Sequence, residues 1–337
     1  MSTSITVKLE IGKAMVHGSA QDSQLIVQLW RSIDGYFINA PFSAQAGSEA
    51  PVKPYHISLD VSGLLAPMEH ALLTYGSFDS CHEAYISDEN VPLQGSLAVK
   101  IDSSDAELAD QESYALAAVF LQQLVLATNL VVPGSFQMLS ANFKGSGAHL
   151  VEACMADSLI FSGVRNSFKE GWHKLPELTF SQVWNWLEKM EISHTHTAIQ
   201  DINKVLLTLL KVAEQRRSYS ARTVLLVLYQ LEMLLGCHPK NDLMLLRNRL
   251  RMVLGTLPEA ADCINDLFRV RGEMYSGTQP VQRPFLLGHT AHDERRVQLG
   301  LCNMDVINGS AIVLVLLQEL ISLDKHAFIF TESFSLQ

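Results

Sequence analysis

The sequence predicts two domains of different class: an α+β domain at the N-terminus, then an all-α helical bundle. Three observations predict this. Between residues 4 and 161, short alternating or β-branched patterns bounded by Gly, Ser, Asp or Pro surround one strong helix. From residue 196 onward, apolar residues recur at helical spacing in segments joined by short connections. At 337 residues the chain is also long for one domain and comfortable for two. The expected division is residues 1–170 for the α+β domain, 171–195 for a linker helix and 196–337 for the bundle.

In the first domain, residues 4–12, 24–31, 56–62 and 96–101 read as strands. Residues 113–129 read as a helix, with Leu116, Val119, Phe120, Gln123, Leu124 and Ala127 on its stripe, ended by Pro133-Gly134. Residues 136–143 and 148–161 read as two further strands around Gly145-Ser146-Gly147. That turn lacks the lysine and Ser/Thr of a phosphate loop. Residues 43–54, small and proline-bearing, read as a loop.

After Pro176, Phe180, Val183, Trp184 and Leu187 form a stripe with Trp186 beside it, expected to dock the linker helix on one domain. The bundle follows. Residues 198–214 carry a wide Leu/Val stripe. Ser220 suits the N-cap of a helix to Leu235, closed by Gly236 and Pro239. Asn241 or Asp242 caps the next, which stops at Gly255. Pro258 stands at the start of a further helix, where proline is tolerated. Residues 278–292 are polar and proline-bearing, hence a loop. Asp293 caps a last helical region to Leu323, with a break expected at Asn308-Gly309.

Composition narrows the class. Apolar residues make up 48% and charged residues 18%, enough for a sizeable core. Cys81, Cys154, Cys237, Cys263 and Cys302 are scattered, odd in number and without CxxC spacing. They suit free thiols in a reducing cytoplasm. The first residues show no basic-then-apolar signal. The longest apolar runs, 114–121 and 311–317, fall short of the roughly 20 residues a bilayer demands, so no membrane association is expected. Residues 1–170 hold 8 Lys/Arg against 18 Asp/Glu, whereas residues 171–337 hold 17 of each. Eleven of the 13 arginines lie in the second half. A neutral, arginine-rich half permits a local phosphate site, but general nucleic-acid binders are usually basic overall.

The segment ending in Leu267-Phe268-Arg269-Val270-Arg271-Gly272-Glu273-Met274-Tyr275-Ser276-Gly277 carries the most chemistry. Ile264, Leu267, Phe268, Met274 and Tyr275 share a face at 3.6 spacing with Arg271 in its middle. One helix earlier, Leu225, Leu228, Tyr229 and Leu235 share another, with Glu232 in its middle. A buried arginine demands a partner, and Glu232 is the expected one. The pair either fixes helix register or aims an arginine at a phosphate. His194 and His196 lie two apart without a second ligand pair, so no metal site is expected. His289 and His292, beside Asp293, Arg295 and Arg296, stand in the loop that follows. GxSxG, HExxH and dinucleotide fingerprints are absent from the sequence, and no cofactor is expected.

The order of elements from 195 to 325, with Arg271 and Gly277 as spaced, resembles the Apea-like branch of the HEPN superfamily. HEPN domains are small helical bundles, and many are metal-independent ribonucleases of bacterial stress and anti-phage systems. The resemblance implies a HEPN-like bundle that pairs as a homodimer so that two motifs line one cleft. In the family, a histidine handles the RNA 2′-hydroxyl proton and the arginine stabilises phosphate charge. The histidine position here holds Ser276, whose hydroxyl is too weak a base without an activating neighbour. The expected function is therefore RNA or nucleotide-phosphate binding through Arg271, Arg269 and Arg295, with weak or no ribonuclease activity. Ser276→His is expected to raise cleavage if the rest of the site is intact. The alternatives are an active ribonuclease using His289 or His292, and a protein-interaction or dimerisation subunit. The N-terminal domain is a candidate to hold a partner protein.

Overall fold

The structure is a computed structural model. It describes residues 2–10, 19–46, 50–87, 94–102, 110–136, 138–144, 150–155, 177–213, 221–238, 242–257, 259–279 and 293–331. The chain divides into two compact units. Of the described residues, the first holds those of 1–158 together with 177–199 and Ala213; the second holds 200–212 and those from 221 onward. The first is α+β and the second is helical.

The first unit is built on a six-stranded antiparallel sheet of order β2-β3-β4-β1-β5-β6. Its strands are β1 (Ser2–Glu10), β2 (Ala40–Gln45), β3 (Val52–Asp60), β4 (Gln94–Asp102), β5 (Met138–Lys144) and β6 (Leu150–Met155). Period-2 alternation puts Tyr55, Ile57 and Leu59 of β3, and Leu97, Val99 and Ile101 of β4, on one buried face. Register pairs Leu59 with Val99 and Ile57 with Ile101. Of the expected loop 43–54, residues 43–45 and 52–54 are sheet, with Ser43 paired to Pro54 and Gln45 to Val52.

Three helices of this unit escape or contradict the sequence reading. Residues 24–31, expected as a strand, lie inside α1 (Ala20–Ile33). Its Ile, Val and Trp suggest a strand, but Ile26, Trp30 and Ile33 are spaced for a helix face and all are buried. Ser19 and Asp22 close a reciprocal capping box at its start. Neither α2 (Ser62–Tyr75) nor α3 (Phe78–Ser87) was expected. The buried stripe of α2 is short, Leu64, Met68 and Ala71, and the helix contains Pro67, which reads as a breaker. Next, α4 (Asp110–Val131) buries Leu116, Phe120, Leu124 and Ala127. In its last turn, Asn129 Nδ2 donates to Phe136 O at 2.9 Å and its Oδ1 accepts from Gly134 N–H at 2.9 Å.

The helix read as a linker, α5 (Phe180–Lys189), belongs to the first unit. Thr179 and Gln182 form its capping box. Phe180 stacks on Trp184 at 5.8 Å, Trp184 meets Phe37 at 4.7 Å, and Phe37 meets Phe120 at 5.2 Å. The 3₁₀ turn Ile192–His194 follows. Ser193 Oγ donates to Ser43 O at 2.8 Å, and His196 Nε2 reaches Gln45 O at 2.8 Å. Both engage carbonyls of the edge strand β2, which blunts its capacity to recruit another strand.

The second unit contains α6 (Asp201–Ala213, all but its last residue), α7 (Ala221–Leu234), α8 (Leu243–Leu254), α9 (Cys263–Ser276, after the 3₁₀ turn Glu259–Asp262) and α10 (Asp293–Ser322). Asp242 caps α8, its carboxylate accepting from Met244 and Leu245 N–H. The expected break at Asn308-Gly309 does not occur; α10 is continuous. Gly309 instead marks a close approach: a Cβ there would lie 2.7 Å from Val227 Cγ1 and 2.9 Å from Leu267 Cδ1. Two helical windows, Glu112–Val131 and Met304–Ser322, are long and apolar enough to cross a bilayer, unlike the shorter runs read from sequence. They are 67% and 72% buried inside the protein, as core helices are.

Candidate functional site around a buried arginine

Arg271 lies on α9 one turn beyond Leu267, and Glu232 lies on α7 one turn beyond Leu228; both leucines are fully buried. The two helices pack together in the second unit. Arg271 Nη1 donates to Glu232 Oε1 at 2.7 Å, and each residue keeps only 7% of its surface exposed. The guanidinium also lies over the Phe268 ring, 4.2 Å from its centroid. A charge-assisted bond and a cation–π contact thus hold the arginine against its own bundle. Tyr275, read as part of the same face, is 77% exposed because the end of α9 runs past the core.

Among the described residues, neither Arg269 nor Ser276 converges on Arg271. Arg269 points to solvent and bonds Glu273 Oε1 at 2.8 Å and Asp266 Oδ1 at 3.1 Å, which holds its guanidinium firmly protonated. Ser276 is exposed on the last turn of α9. Its Oγ donates to Glu273 O at 3.1 Å and shares a hydrogen bond with Thr278 Oγ1 at 2.8 Å. At 3.6 residues per turn, five residues carry it roughly 140° around the helix from Arg271. Gly277 then ends the helix in the left-handed region at φ 73°. His289 and His292 lie outside the described residues. Arg295 falls in α10, and its side chain is likewise not described. His194 and His196 sit on the first unit, and no cluster of three or more His, Cys, Asp or Glu suited to a metal ion occurs among the described residues.

Two more arginines of the second unit serve architecture. Arg249 Nη1 donates to Leu235 O at 2.9 Å and to Gly236 O, satisfying carbonyls at the end of α7. Arg247 bonds Asn265 Oδ1 and Asp262 Oδ1, each at 2.8 Å, joining α8 to α9. Carboxylates are unevenly stressed here. Burial, and next the charge of Asp266, push Asp305 up to about 6, partly offset by Arg269. Burial and the neighbouring aspartates also raise the Cys263 thiol, which makes it an inert, core-type cysteine.

Sequence reading missed a cavity of about 160 Å3 lined by Asp201, Lys204, Tyr229, Glu232, Met233, Gly236 and His238. Lys204 Nζ bonds Asp201 Oδ1 at 2.8 Å on its wall. Glu232 therefore has two environments, the arginine on one side and the cavity on the other. The lining comes from α6, α7 and the turn after α7, so only their packing reveals it. No family model matches the chain, and neither a curated protein nor a solved structure shows significant similarity to it.

Proposed function

We propose that the second unit is a HEPN-like bundle that binds RNA or nucleotide without performing ribonuclease chemistry, in a cytoplasmic protein of the bacterial stress or anti-phage kind. The order of helices and the spacing of Arg271 and Gly277 support the family reading. The observation that carries the loss of chemistry is the closure of Arg271 on Glu232 at 2.7 Å, with Ser276 turned to solvent. An arginine that stabilises a phosphorane must face the developing charge, and a general base must reach the attacking hydroxyl. Arg271 faces a carboxylate, and among the described residues the hydrogen bonds of Ser276 go to Glu273 O and Thr278 Oγ1, neither of them a base. Removal of a general base alone costs about 10²–10⁴ in rate. The HEPN resemblance further supports a two-fold homodimer, the commonest assembly.

The test incubates the purified protein with short labelled RNA in chelator. Binding without cleavage is the expected result, and Ser276→His is expected to raise cleavage if the rest of the site is intact, since position 276 is where the resemblance places the histidine. Vigorous metal-independent cleavage abolished by His289→Ala or His292→Ala would establish an active ribonuclease instead. Absence of both binding and cleavage would leave the protein-interaction subunit as the function. Sedimentation at micromolar concentration reads the dimer directly, and a monomer there removes it.

A further inference from the structure

The cavity beside Glu232 has a chemistry of its own. Its charges are matched in pairs before any ligand arrives: Glu232 is neutralised by Arg271 at 2.7 Å and Asp201 by Lys204 at 2.8 Å. A free anion or cation gains little from such a lining. A neutral ligand rich in both donors and acceptors gains more, because each pair still presents unused hydrogen-bonding capacity. A carboxylate accepts about four hydrogen bonds, and Arg271 takes one from Glu232. An ammonium donates three, and Asp201 takes one from Lys204. Tyr229 and Met233 supply the apolar remainder. At about 160 Å3 the cavity is smaller than the roughly 300–1,000 Å3 of sites for drug-sized ligands, so it suits one ring system rather than a whole nucleotide.

We propose that this cavity between α6 and α7 takes the base of a guanine nucleoside, with its Watson–Crick edge on the Glu232 carboxylate and its sugar outside. Guanine presents two adjacent donors, N1–H and the 2-amino group, which suit a single carboxylate. Adenine places an acceptor nitrogen beside its amino group, which a carboxylate repels. Bases taken out of a stack are commonly read this way, by edge hydrogen bonds and aromatic contact. Solvent-exposed His238 stands at the rim, where the sugar or a following phosphate would pass. The inference deepens the binding half of the function proposed above, and its test is separate from RNA binding.

Guanosine and adenosine are titrated into the full chain by calorimetry, beside RNA binding in the same preparation. The expected result is saturable guanosine binding, with adenosine at least tenfold weaker. Glu232→Gln endangers the fold by stranding Arg271, so the mouth is narrowed from exposed positions instead, by Asp201→Phe and independently by His238→Trp. Each is expected to weaken guanosine binding at least tenfold with unchanged thermal unfolding. Lack of saturable guanosine binding, equal adenosine binding, or full guanosine affinity in both narrowed variants overturns the proposal. RNA binding without guanosine binding defeats this inference alone, whereas guanosine binding without RNA binding defeats only the RNA reading.

Discussion

At the scale of single residues, the Glu232–Arg271 pair decides how the second unit tolerates change. Two ions taken out of water cost several kcal/mol each, recovered only while each has the other. Arg271→Met should therefore destabilise by about 3–5 kcal/mol in urea unfolding, because Glu232 is left buried and ionised. The double variant Glu232→Leu/Arg271→Met removes both charges and should recover to within about 1 kcal/mol of the native protein, or exceed it. If the single variant proves neutral, the pair is not buried in solution as it is here. This pair was legible in the sequence, because a lone charge on each of two apolar stripes has few alternatives to meeting the other. Asp305 was not legible, since its stress comes from burial and from Asp266 on another helix. Its carboxyl is raised to about 6 in the folded chain, above the ordinary aspartate value of about 3.9. Between these values the folded state holds a proton that the unfolded state has released. Stability from this group is thus gained as pH falls through 6 and lost as pH rises through it. Asp305→Asn should raise the melting temperature at pH 7.5 and flatten its dependence between pH ~4 and ~6.5. An unchanged profile would show that Asp305 ionises freely.

At the scale of elements, the errors of sequence reading have a common cause: local propensity was overridden by packing. In α1 the β-branched and aromatic residues of 24–31 serve a helix face, and the capping pair Ser19/Asp22 was the signal that could have shown it. In α10 a glycine that reads as a break is a notch for two neighbours. Gly309→Ala gains about 1 kcal/mol of helix propensity. Against this, its methyl would meet Val227 and Leu267, both fully buried. Val227 is β-branched and stiff, so it yields poorly. Overpacking a tight core typically costs about 1–3 kcal/mol, and the balance falls on destabilisation. A lower melting temperature for Gly309→Ala is expected; a higher one would mean that α10 shifts freely against α7 and α9. The helix α8 was legible at both ends and α9 at its close, since Asp242, Gly255 and Gly277 punctuate them as capping rules require, whereas α9, read from Pro258, begins only at Cys263 after a 3₁₀ turn. The cavity was not legible, because its seven lining residues belong to two helices and a turn that no local pattern joins.

At the scale of the whole molecule, the division of the chain follows burial rather than the apparent linker. A cut near residue 170 would remove Phe180, Val183, Trp184, Trp186 and Leu187, each at most 4% exposed. Burying a large apolar side chain contributes about 1.5–3 kcal/mol, an upper estimate because unfolded chains already hide part of this surface. Five such side chains are worth on the order of 10 kcal/mol, comparable to the whole stability of an ordinary domain at about 5–15 kcal/mol. The same cut would bare Phe37 and Phe120, which meet Trp184, and would release Ser193 and His196 from the edge strand β2. A fragment of residues 1–199 should therefore unfold in one cooperative thermal step. A fragment of residues 1–170 should lack that step and self-associate, through its uncovered aromatic face and its unguarded edge. The measurement is calorimetry paired with light scattering. A cooperative, monomeric 1–170 fragment would show that α5 is an accessory of the first unit; its failure beside an intact 1–199 fragment would make α5 part of that unit's core.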